Sequence, residues 1–165
     1  MRHVLLIGED NPHSNDPRYA LYDKPDGCAG DRLRRLVLGV TRGVYLRRMR
    51  RLNLCEGRWS AVGARSHAAE ILAGCRTSGE DVALVLLGRK VAGAFGLAEV
   101  PAFSSVMLDA MPLVGPDVDC RAVLLPHPSG RCREWNAPDA FERAQQVLRE
   151  AAPEWPWGWA PEGGP

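Results

Sequence analysis

Six consecutive residues near the middle of the chain, Val82-Ala83-Leu84-Val85-Leu86-Leu87, carry no polar side chain. With Asp81 before and Gly88 after, the run reads as a strand over Asp81–Leu87. A strand apolar on both faces has to be covered on both faces, as at the centre of a parallel sheet. Parallel neighbours need long crossovers, which helices supply. Two further apolar runs, Val4-Leu5-Leu6-Ile7 and Ala122-Val123-Leu124-Leu125, fit as companions. The expected fold is therefore α/β, a three-layer α/β/α sandwich around a four-stranded, mainly parallel sheet. At 165 residues this is one sizeable core.

The pattern predicts a first strand over about residues 3–8 and an irregular loop to about Ala29, since Pro12, Pro17, Pro25 and Gly27 oppose a helix. A helix follows over Asp31–Leu38, with Leu33, Leu36 and Val37 on one face and Gly39 as its stop. Thr41 caps a second helix carrying Val44, Tyr45, Leu46 and Met49. Arg51–Leu54 is strand two, and Ser60 caps an Ala-rich helix to about Ala73. Beyond Gly88 a helix lies near Lys90–Phe95. Phe103–Leu108 reads as an extra strand or as part of a ribbon. Strand four covers Arg121–Leu125, and Asn136 is expected to cap the last helix, Pro138–Ala151. These elements make a domain over 1–152. The Trp/Pro/Gly-rich tail, 153–165, either packs its indoles on the body or is disordered.

The formal net charge of +1 hides a local excess. Arg42, Arg47, Arg48, Arg50 and Arg51 lie close together, with Arg32, Arg34 and Arg35 upstream, enough to grip phosphates or to form a solvated helix face. Cys28, Cys55, Cys75, Cys120 and Cys132 are odd in number and contain no C-x-x-C pair. With no membrane-length apolar stretch and no signal-peptide pattern, reduced thiols and a cytoplasmic location are expected. His3, His13, His67 and His127 form no ligand motif, so neither metal nor cofactor is expected.

In this layout Gly8–Asn11, Asn53, Gly88 and His127 all fall at the carboxyl ends of strands. They share the rim where open α/β sheets keep their ligands. Gly8-Glu9-Asp10-Asn11-Pro12 after strand one resembles the first motif of the uracil-DNA glycosylase superfamily. His127-Pro128-Ser129-Gly130-Arg131, with Asn136, resembles its second, and Leu52-Asn53-Leu54 resembles its strand-two asparagine. The resemblance spans about residues 2–150 and rests on few residues in the right topological slots.

It implies a monofunctional DNA N-glycosylase, a monomer acting on single- or double-stranded DNA with no membrane partner. Hydrolysis of an N-glycosidic bond develops negative charge on the base and positive charge on the sugar. His127 would donate a hydrogen bond to a base carbonyl. Asp10, or alternatively Asn11, would position water. Asn53 would read the edge of an extruded base, or else close a turn. Glu9 is counted among the base-side residues, with holding the loop or facing solvent as its other readings. Ser129, Arg131, Arg47, Arg48 and Arg51 would meet DNA, Arg131 as a wedge or a phosphate contact. The tyrosine that follows the first motif in uracil-specific members is missing after Pro12. Tyr19 and Tyr22 come later, where they stack on a base or pack partly in the core. The implied substrate is a modified or damaged pyrimidine, such as glucosylated hydroxymethylcytosine in phage DNA, which would make the protein an antiphage enzyme. Alternatives are uracil removal in base-excision repair and a non-catalytic nucleic-acid-binding module. A hydrolase of free nucleosides or nucleotides is a further reading.

Overall fold

A computed structural model describes residues 2–11, 14, 16–108 and 119–159. Its sheet has five strands: β1 (His3–Asp10), β2 (Arg50–Cys55), β3 (Val82–Leu87), β4 (Ser104–Met107) and β5 (Cys120–Leu125), in the order β2-β1-β3-β5-β4. The expected parallel strands β1, β2, β3 and β5 are joined by β4, which runs antiparallel along the outer side of β5. The Phe103–Leu108 segment is thus an edge strand.

Alternation along the strands sends side chains to two cores. Val4, Leu6, Ala83, Val85, Leu87, Val123 and Leu125 face one layer. That layer contains α1 (Ala29–Arg32), the π-helical turn Leu33–Val37 that continues it, α2 (Arg42–Arg48) and α5 (Ala140–Ala151). Ile7, Val82, Leu84, Leu86, Ala122 and Leu124 face the other, built from α3 (Ala61–Ser78) and α4 (Arg89–Ala94). β3 is buried along its whole length, as its composition requires.

Thr41 and Ser60 cap α2 and α3, each hydroxyl accepting from a main-chain N–H in the first turn, at 3.3 and 3.2 Å. α3 runs past Ala73 to Ser78 because Ala64, Ala68, Leu72 and Cys75 continue one buried stripe; Gly79, in a left-handed conformation, ends it.

Asn136 does not cap the last helix. It ends a 3-10 turn, Arg133–Asn136, and α5 begins only after Asp139. Two local causes combine. The buried Trp135 donates from Nε1 to the His127 carbonyl at 3.0 Å, which fixes the turn. Pro138 then holds Ala137 in an extended conformation, so no helix can pass through it.

The described part of the tail packs on the body. Trp157 and Trp159 stack at 5.1 Å, and their Nε1 groups donate to Ala152 and Val37 carbonyls, both at 3.0 Å. The Arg149 guanidinium lies over the Trp159 ring. None of the five cysteines is in a disulfide. Among the described residues no helix is long and apolar enough to cross a membrane.

Candidate active site

The parallel strands end along one rim, where Leu87 pairs with Leu125 and Asp10 with Cys55. Two glycines let side chains approach there. Gly8 pairs with Asn53, and a Cβ on Gly8 would stand 2.4 Å from Asn53 Oδ1. Gly88 has φ +104°, and a Cβ on it would lie 3.1 Å from Glu9 Oε1 and 3.3 Å from His127 Cβ. Asn53 thus meets Gly8 of β1, and Glu9 and His127 meet beside Gly88.

His127 is half-buried and fixed through its neighbours. The Ser129 N–H donates to Nδ1 at 3.2 Å. A neutral ring that accepts at Nδ1 carries its proton on Nε2. Trp135 holds the His127 carbonyl, and Arg32 Nε donates to the Pro128 carbonyl at 3.1 Å. Burial lowers the His127 pKa from 6.5, against the pull of the Glu9 and Asp10 carboxylates, with Lys90 adding to the lowering. The ring is thus a neutral Nε2–H donor at pH 7.

Asp10 leaves the end of β1 on the face opposite to Glu9, and its charge is felt at His127. Among the described residues its carboxylate has no hydrogen-bond or ion-pair partner. Asn53 Oδ1 is buried and accepts no hydrogen bond from the described residues; a polar atom left so costs about 1–3 kcal/mol. Asn11 donates from Nδ2 to the Tyr19 carbonyl at 3.3 Å, so its amide braces the loop. Pro12 and His13, the end of the first motif and its neighbour, lie outside the described residues.

Tyr19 is 45 % exposed and meets Tyr22 edge-on, with ring centroids 5.3 Å apart. The Tyr22 hydroxyl accepts from Arg42 at 2.9 Å. Neither ring is part of the core clusters. Glu9 Oε2 accepts from Lys90 Nζ at 3.0 Å. Lys90 was not foreseen from the sequence, although its slot, just past β3, is a rim position by the same argument that selected Gly88.

The arginine-rich stretch divides. Arg34 and Arg42 pair with the buried Asp23, and Arg34 and Arg35 with the buried Asp31. Arg51 donates to the Ala20 carbonyl and lies over the Tyr45 ring at 5.0 Å. These cations hold the fold together. Arg47 and Arg48 are exposed but close α2 just before β2 begins. That puts them beyond the amino end of β2, about 17 Å or more from the rim at ~3.3 Å per strand residue. They are not brought together with His127. The exposed cations in rim slots are instead Arg58 after β2, Arg89 and Lys90 after β3, and Arg131 and Arg133 after β5. Arg131 was expected from the sequence; density of arginine along the chain concealed the others, which position after a strand would have found. Ser129 sits on the rim through the loop it shares with His127, and its carbonyl accepts from Cys132 N.

On the α4 side of Gly88 a shallow depression is lined by Arg89, Ala92, Val100, Pro126 and Glu134. Among the described residues no group of three or more His, Cys, Asp or Glu side chains could hold a metal ion. In comparisons with known proteins, no family model matches the chain and no curated protein matches it.

Proposed function

We propose that this protein is a monofunctional DNA N-glycosylase that hydrolyses the N-glycosidic bond of an extruded modified or damaged pyrimidine and leaves an abasic site. The observation that carries the reading is His127. It is a neutral imidazole with Nδ1 engaged by the Ser129 N–H and Nε2–H left to donate, on one rim with the Asp10 carboxylate and the Asn53 amide. A leaving base acquires negative charge on its carbonyl oxygen, and a preorganised donor stabilises that charge as it forms. Asp10 is suited to orient water and to balance the positive charge on the sugar. Asn53, with an acceptor oxygen that no donor among the described residues satisfies, is suited to hold a base edge. Arg131, Arg133 and Arg89 are placed to meet phosphates near the rim. The absence of a tyrosine directly after Pro12 favours a base larger than uracil, with phage-type glucosylated hydroxymethylcytosine as one substrate and antiphage action as its setting.

The test is alkali cleavage of oligonucleotides carrying a panel of bases, from uracil to hypermodified cytosines. Abasic product is expected on at least one modified pyrimidine, with Asp10→Ala and His127→Ala each lowering the rate by about 10²–10⁴-fold. No product on any base would leave a non-catalytic binding module. Equal activity on uracil would return the reading to base-excision repair.

A second reading, hydrolysis of free nucleosides or nucleotides, is favoured by the internal pairing of Arg34, Arg35, Arg42 and Arg51. It predicts that Arg131→Glu and Arg133→Glu leave activity intact, whereas a DNA enzyme loses affinity in a salt-dependent way.

A further inference from the structure

Glu9 points to the α4 side of the sheet and is 19 % exposed at its side chain. Its two oxygens have different surroundings. Oε2 is held by Lys90 Nζ at 3.0 Å, and Lys90 in turn lies 5.6 Å from the centre of the Trp59 ring. Oε1 lies 3.1 Å from the point a Cβ on Gly88 would take, and the His127 Cβ lies 3.3 Å from the same point. The carboxylate and the imidazole thus border one space that is left open because residue 88 has no side chain, and any other residue there would crowd both.

We propose that Glu9 and Lys90 are a positioning pair for His127: Lys90 holds the Glu9 carboxylate beside Gly88 and cancels its charge at the imidazole, so that the ring works as a neutral donor. The proposal rests on the reading of His127 given above and assigns Glu9 a task other than direct contact with a base. An unpaired carboxylate beside the ring would favour the imidazolium, whose Nδ1–H would face the Ser129 N–H that the neutral ring accepts. The charges around the ring are Glu9 and Asp10 from β1 and Lys90 from α4. From α1, Arg32 reaches the main chain of the same loop, and Arg89 is paired with Glu134 at 3.6 Å. Lys90 is itself held charged, chiefly by its hydrogen bond to Glu9.

The experiment follows the His127 ring by NMR through a pH titration in the full chain, for the native protein and for Lys90→Gln, Glu9→Gln and Lys90→Arg. Removing Lys90 should raise the midpoint by about one pH unit, as an opposite charge at close range does. Removing the Glu9 charge should lower it, and arginine at 90 should restore the native value. Loss of folding would move both glutamine variants upward toward the ordinary histidine value, so the opposite signs are the signature. An unmoved midpoint in Lys90→Gln, or shifts of one sign in both variants, would overturn the proposal. The titration needs no substrate. Shifts as expected with no abasic product on any oligonucleotide would therefore count against the glycosylase reading alone.

Discussion

The loop after β5 is short and fastened largely through its main chain. Trp135 holds the His127 carbonyl, Arg32 the Pro128 carbonyl, and the Ser129 N–H the imidazole. The loop after β1 is long and fastened through charge. Asp23 grips Arg34 and Arg42, Asp31 grips Arg34, Arg35 and the Gly27 N–H, and the segment before Asp23 carries Tyr19 and Tyr22. Both deliver polar groups to one rim. The first does it with an indole, a main-chain amide and a guanidinium, and of their bonds only the one accepted by the imidazole titrates. The second depends on buried carboxylates staying ionised. One wall thus titrates only through His127, and the other through carboxylates that lose their charge in acid.

The largest effect that would break this contrast is at Trp135. Trp135→Ala should cost about 4 kcal/mol, a large cavity and a lost hydrogen bond together, measured by urea unfolding. Asp23→Ala should cost about 3 kcal/mol, because it strands two arginines. It should also open amide exchange in the Tyr19–Gly27 segment while leaving the His127 loop protected. Equal exposure of both loops in either variant would mean that they open as one unit.

Acid sharpens the comparison further. The Gly27 N–H and the arginines beside it hold the Asp31 carboxyl at about 2, below the ordinary 3.8. Its stabilising contribution is therefore complete above pH 3.8 and is lost as pH falls toward 2. His127 is shifted below 6.5 by burial, so the unfolded chain binds more protons just below that pH. This contribution is complete above pH 6.5 and is lost as pH falls through the folded value. Stability against pH should show two separate losses, the upper one missing in His127→Gln and the lower one in Asp31→Asn.

The smallest effect is expected at Ser129. Its bond to His127 comes from the main chain, so Ser129→Ala should change stability by less than about 0.5 kcal/mol and leave the Nε2–H tautomer in place by ring nitrogen shifts. A changed tautomer would show that the hydroxyl, and not the loop geometry, sets the ring.

Much of the architecture was legible because burial writes itself into composition. The apolar run at Val82–Leu87 marked the central strand, Thr41 and Ser60 marked helix starts, and strand ends located the rim. What escaped depended on partners distant in sequence. Asn136 looks like a cap only until Trp135 is seen bonded to His127, and the arginine cluster looks like a phosphate grip only until Asp23 and Asp31 are seen buried beneath it. Lys90 has no local signature, since its meaning comes from Glu9, eighty-one residues away.

The sheet order has a mechanical corollary. His127 follows β5, which is laced to β3 on one side and β4 on the other, whereas Asn53 rides on β2, a border strand bonded only to β1 among the described strands. Breathing of β2 can proceed without disturbing β5. The rim therefore has a fixed jaw and a yielding one, and a bound molecule of unusual girth would be accommodated by displacement at Asn53 while His127 keeps its place.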